Sequence, residues 1–256
     1  MSVILGGIEI RKRTKLTGLQ VYLASLRWYN PTIRIVIFNR SPDNQELSSL
    51  LSKYEVEIID AKQFDIRHNI PTVEIEIARF LQYYVWLQTN IIKSAILTDI
   101  LDVVWQHDPI DIIPKYGLKV FQENNVIGNC PFNSKWMKEV WPNNPLLYKQ
   151  IVCCGVIAGE EKAIYSYLKF YAEEFVCRNN QVRRGFDSAI LNGFINTVPD
   201  VDVLPFINAD CMHLGYANPD KVSRFHVVSY ESVTPKVVHQ YNRHPSIMAE
   251  LYTQWI

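Results

Sequence analysis

Through its first hundred residues the chain alternates between short apolar, β-branched runs and longer stretches with apolar residues at helical spacing. Residues 3–5, 33–38, 56–59 and 94–98 read as strands. The run Ile33 to Phe38 is continuous rather than alternating, as expected of a strand covered on both faces. Leu16, Leu19, Tyr22, Leu23 and Leu26 mark a helix over 16–29, ended by Pro31. Ser41-Pro42-Asp43 opens a second helix that runs to about Lys53. A third, over 73–90, carries Ile77, Phe80, Leu81, Tyr84 and Leu87 on one face. A β-α-β-α-β-α-β order needs right-handed crossovers, so it predicts an α/β fold with a mainly parallel central sheet. Ligands of such sheets sit beyond the carboxyl ends of the strands.

The second half is less regular. Residues 118–122 and 151–158 read as strands. Residues 160–177 form a helix with Ala163, Ile164, Tyr167, Leu168 and Tyr171 inward, and 186–195 a shorter one. Segment 131–145 holds Pro131, Pro142, Pro145, Trp136 and Trp141, and reads as a loop with aromatic anchors. No repeat or linker interrupts the chain, so the expectation is a single domain with halves of about 1–110 and 111–256.

Hydrophobic residues make up 48% of the 256, enough for a substantial core and against disorder. Lys plus Arg and Asp plus Glu are 26 each, which argues against a broad basic nucleic-acid surface. The five cysteines, Cys130, Cys153, Cys154, Cys177 and Cys211, show no C-x-x-C spacing; reduced, mostly buried thiols are expected. No apolar run reaches the roughly 18 residues of a membrane span, and Met1 to Gly7 lacks signal-peptide character. A cytoplasmic chain without a membrane span is the expectation.

The segment with most chemical content is Ala95-Ile96-Leu97-Thr98-Asp99-Ile100-Leu101-Asp102-Val103-Val104-Trp105-Gln106-His107-Asp108-Pro109. Two carboxylates appear where an apolar strand runs out. Buried carboxylates are costly unless paired or bound to a cation, and oxygen ligands suit Mg²⁺ or Mn²⁺. The alternative is that Asp99 caps a turn and Asp102 is solvated. Asp108 reads as the cap of the turn at Pro109.

This string resembles the D-x-D region of GT-A-fold, metal-dependent glycosyltransferases, although the acids are three apart and Ile100 cannot ligate. The resemblance implies a nucleoside diphosphate sugar donor, Mn²⁺ or Mg²⁺, and a glycan, glycoprotein or small-molecule acceptor. It implies a GT-A-like single domain with a Rossmann-like N-terminal half and an acceptor-side C-terminal half. Asp102 becomes a metal ligand, and Asp99 either a second ligand or a contact to the nucleotide ribose. In Val237-Val238-His239-Gln240-Tyr241-Asn242-Arg243-His244-Pro245, His239 resembles the family's late metal-binding histidine and Arg243 a diphosphate clamp. His213 is the rival ligand. Gly185-Phe186-Asp187-Ser188-Ala189-Ile190-Leu191-Asn192 resembles the "DQ…LN" helix start; Asp187 is then the catalytic carboxylate, or else a helix-start acid. Cys153-Cys154-Gly155 resembles the strand lining the sugar pocket, with Gly155 permitting close approach of substrate or else marking a bulge. Arg79 resembles a residue that reaches the donor, and segment 131–145 could then be a mobile cover. A sugar nucleotidyltransferase is the alternative, on the partial match of Gly6 to Arg13 to a glycine-rich basic loop; an inactive glycan-binding member is another.

Overall fold

The computed structural model describes residues 1–11, 14–225 and 227–256. Strands β1 (Ser2–Ile8), β2 (Arg34–Asn39), β3 (Glu57–Asp60) and β4 (Ser94–Thr98) pair in parallel in the order β3-β2-β1-β4. Helices α1 (Leu16–Tyr29), α2 (Gln45–Lys53), α3 (Ala61–His68) and α4 (Ile75–Leu87) connect them. The short α3 is not anticipated by the periodicity. Its N-terminus is capped by Asp60, which accepts from the amides of Lys62 and Gln63. A buried pair, Arg40 with Asp65, ties α3 to the end of β2, and Gln82 donates to the same carboxylate at 2.7 Å.

Beyond β4 the sheet mixes directions. β7 (Gln150–Glu160) runs antiparallel to β4 and to β6 (Leu118–Val126). β8 (Val201–Leu204), β9 (Cys211–His213) and β12 (Val237–His239) extend it, and β5 (Val103–Trp105) closes the far edge antiparallel to β12. The order along the main path is β3-β2-β1-β4-β7-β6-β9-β12-β5, mostly parallel as expected. β10 (Val222–Phe225) and β11 (Val227–Tyr230) form a separate hairpin.

Alternate residues of the central strands enter two different cores, as a pleated strand requires. Val3, Leu5, Val36 and Phe38 pack beneath α4, α6 (Glu161–Cys177) and α7 (Phe186–Phe194). Ile4, Ile35 and Ile37 face α1 and α2. A third cluster gathers Val104, Met212 and Val238 beneath α8 (Pro245–Trp255). Phe80 packs at a tilt against Tyr171 at 4.9 Å and meets Tyr167 edge-on at 5.9 Å, which fastens α4 to α6.

Segment 131–145 begins with a helix, α5 (Pro131–Val140), in place of the expected loop. Pro131 sits in its first turn, where a missing amide costs nothing. Met137 and Val140 are buried, and Trp141 donates to the Ala189 carbonyl at 2.9 Å. The prolines mark the ends of a packed element. Of the basic stretch after β1, Lys12 and Arg13 lie outside the described residues, while Arg11 pairs with Glu9 and Glu76. Among the described residues no helix is long and apolar enough to cross a membrane.

Candidate active site at the sheet edge

β4 delivers Asp99 as its last register pair is made: Thr98 lies opposite Val156, and the Asp99 amide donates to the Gly155 carbonyl at 2.8 Å. The chain then turns before β5. Ile100 goes into the core at 2% exposure, Leu101 points outward, and Asp102 returns toward Asp99. This explains the three-residue spacing: the residue between the acids that cannot ligate is an anchor. Gly18 on α1 makes room for the turn, since a Cβ there would lie 1.9 Å from the Leu101 carbonyl oxygen.

β12 brings the third group. Its antiparallel register with β5 sets His239 against Val103, directly beside Asp102. His239 Nε2 lies 3.2 Å from Asp99 Oδ2 and 3.4 Å from Asp102 Oδ1. Gln240, next in the chain, has φ of 62°, a left-handed conformation that costs a non-glycine residue roughly 1–2 kcal/mol. Hydrogen bonds hold it there: its amide donates to the Asp102 carbonyl and its Oε1 accepts from Gly215, both at 2.9 Å.

Electrostatics follow from this packing. Burial alone would lower His239, but Asp102 and Asp99 outweigh it and push the imidazole up to about 10. Burial would raise Asp99; the Arg79 guanidinium and His239 instead hold it well below the usual carboxylate range. His239 thus carries a charge at neutral pH, with Nε2 facing the carboxylates and Nδ1 2.9 Å from Nδ1 of His213. His213 is fully buried, and burial together with the His239 charge pushes it well below the ordinary histidine range. It is the neutral member of the pair.

Arg79 reaches the site from α4, where it is 4% exposed and pairs through Nη1 with Asp99 Oδ1. Asp187 lies in the first turn of α7. It is 8% exposed and accepts from the Cys154 thiol at 3.1 Å, and burial raises it despite nearby Arg79. Alternation along β7 places Cys154 on the Asp187 side, while Cys153 and Gly155 face His239. A cavity of about 650 Å³ lies at the opposite end of the sheet, by Gly117, Glu160 and Asp200, away from these groups.

No family model and no curated protein sequence matches the chain. Its backbone does match solved structures. The galactosyltransferase LgtC, crystallised with donor and acceptor sugar analogs, is 12% identical, with 100% of this chain and 96% of that one covered and a TM-score of 0.57. An active-site mutant of LgtC gives 13% identity, 93% and 86% coverage, and a TM-score of 0.55. The chain has the GT-A fold.

Within this GT-A frame the residues singled out in the sequence divide clearly. Asp99, Asp102 and His239 converge: one ligating atom from each lies within 4.8 Å of the others. Two carboxylates and an imidazole are a donor set that fits Mn²⁺ or Mg²⁺. Arg79 adjoins them, and Asp187 contributes to the same electrostatic field. Arg243 is exposed on the short turn Tyr241–Arg243 after β12. Asp108 accepts from the Ile110 amide, as a cap does. At Gly155 an added Cβ would lie 2.1 Å from Cε1 of His239, so the imidazole takes the space a side chain would need. His213 does not compete for the carboxylate side, because it sits behind His239 on the Nδ1 side. Glu123, 5% exposed and the register partner of His213, carries no such motif; its one sequence signal is an acid directly after the strand-like stretch Leu118 to Gln122.

Proposed function

We propose that this chain is a metal-dependent glycosyltransferase that moves a sugar from a nucleoside diphosphate donor to an acceptor hydroxyl. The observation that carries this reading is the meeting of Asp99 and Asp102 with His239, over a hundred residues further along the chain, at one rim of a GT-A sheet. They would hold Mn²⁺ or Mg²⁺, which when bound neutralises the charge that builds on a departing nucleoside diphosphate. Arg79 orients Asp99 through their ion pair, so the carboxylate presents its other oxygen to the crevice. Arg243, exposed on the turn that follows β12, is the group for gripping the diphosphate, because guanidinium geometry matches paired phosphate oxygens. Asp187, across β7, is the carboxylate assigned to the acceptor side. Residues 1–110 would supply the nucleotide-binding half and 111–256 the acceptor half.

The test is a thermal-shift and calorimetric screen of nucleotide sugars with and without Mn²⁺. A donor that binds only the folded protein raises the melting temperature. One donor class should do so only with Mn²⁺, and Asp102→Ala should abolish the effect. Equal stabilisation with and without metal, or an undiminished effect in Asp102→Ala, would overturn the assignment.

A further inference from the structure

Behind His239, on the side away from Asp99 and Asp102, lies a second group of ligating atoms that the proposed reaction leaves unused. One ligating atom from each of Cys153, His213 and His239 lies within 4.8 Å of the others. The two nitrogens are 2.9 Å apart, and Cys153 Sγ is 3.6 Å from His239 Nδ1. Three strands, β7, β9 and β12, supply one donor each. A fourth, β6, adds Glu123, a buried carboxylate reached by Gln240 Nε2 at a long 3.5 Å. With metal–nitrogen bonds of about 2.0 Å and metal–sulfur bonds of about 2.3 Å, tetrahedral ligand atoms sit roughly 3.3–3.6 Å apart. Cys153 Sγ and His239 Nδ1 already stand at such a separation, and the two histidine nitrogens need to part by a few tenths of an ångström to admit the ion. Thiolate and imidazole together favour Zn²⁺-like ions over Mg²⁺ or Mn²⁺.

We propose that Cys153, His213 and His239 form a second cation site, selective for Zn²⁺ or a similar thiophilic ion, and exclusive with the carboxylate site in front. The exclusion follows from the imidazole itself. A neutral ring has one nitrogen lone pair to give. The front site takes Nε2 and the rear site takes Nδ1. A rear ion leaves Nε2 protonated and facing Asp99 and Asp102, the carboxylate–histidine–metal arrangement whose distances are already in place. Binding replaces the thiol proton of Cys153 and the Nδ1 proton of His239, and both protons leave to solvent. His213 would enter as a neutral imidazole through Nδ1, the nitrogen that already faces His239. Cys153 is the least enclosed of the three, at 8% exposure, and marks the side of entry. Thiophilic ions would therefore switch off the front site. That consequence rests on the proposed function; the rear site does not.

Co²⁺ alone is the probe, because a thiolate ligand gives it an intense near-ultraviolet charge-transfer band. The full chain should bind Co²⁺ with that band, and Zn²⁺ should displace it. Cys153→Ser should abolish the band and weaken Zn²⁺ binding at least tenfold, while Asp102→Asn keeps both. Absence of the band in the full chain, or its survival in Cys153→Ser or His213→Gln, would overturn the site; the full-chain spectrum decides even where a variant fails to fold. One equivalent of Zn²⁺ should weaken Mn²⁺ binding, read by electron paramagnetic resonance, at least tenfold in the full chain and not in Cys153→Ser. Unchanged Mn²⁺ affinity would overturn the exclusion. A chain that binds no Mn²⁺ at all would instead remove the sugar-transfer reading, and the cobalt spectrum would still decide the rear site.

Discussion

His239 is the residue on which the site turns, and its position depends on an absent side chain. A Cβ on Gly155 would clash with the imidazole ring, 2.1 Å from Cε1. Both partners lie on hydrogen-bonded strands, so neither backs away cheaply. Gly155→Ala should therefore displace the ring and cost about 1–3 kcal/mol, the usual range for overpacking. Chemical denaturation would measure that loss, and Mn²⁺ titration should show a larger proportional loss of metal affinity. Retained metal affinity in Gly155→Ala would mean that the ring position is not critical. The sequence pointed to Gly155 through its motif, but it could not indicate that the neighbour across the gap is a histidine from 84 residues later.

At the level of elements, the site depends on two junctions. The first is α1 against the turn between β4 and β5. Alanine normally stabilises a helix by about 1 kcal/mol relative to glycine. At Gly18 that gain competes with a Cβ 1.9 Å from a backbone oxygen, which no side-chain rotation relieves. Gly18→Ala should be net destabilising, with a lower denaturation midpoint and weaker metal binding as Asp99 and Asp102 separate. The second junction is Asp210, which accepts from Lys119 at 2.8 Å and Lys236 at 2.7 Å and so pins β6 to the entry of β12. Burial would raise this carboxyl, but hydrogen bonds and charge from the two lysines hold it below its ordinary value. A depressed acid binds its proton less readily folded than unfolded. Its contribution is therefore present above the unfolded value near 3.8 and lost as pH falls through the lower folded value. Stability should decline from about pH 4 downward, and Asp210→Asn should flatten that part of a melting-temperature profile. An unchanged acid limb would remove Asp210 from the account.

For the whole molecule, the proposed activity predicts a thermodynamic link between ligand and fold. At a donor concentration about 100 times its dissociation constant, binding adds about 2.7 kcal/mol. For a chain of this size that corresponds to a melting shift of roughly 5 °C or more. The shift should need donor and Mn²⁺ together. Much of the architecture was legible without coordinates. The spacing of Leu16 to Leu26 and the unbroken run from Ile33 to Phe38 report their own burial, because periodicity is a local consequence of which faces are covered. The helix at Ala61–His68 was not legible, since only Ala61 and Asp65 of its residues are buried and its amphipathic signal is weak. The helix at Pro131–Val140 was masked by prolines that bound it. For the site, the acids announced themselves at the end of β4, and His239 by the motif around it. Local sequence alone thus determined that strands alternate with helices and that acids stand where an apolar strand stops. Only the tertiary structure decided that Asp99, Asp102 and His239 meet, that His239 packs against Gly155, and that His213 stands behind it. Those facts depend on strand register between segments far apart in the chain, which no local spacing encodes.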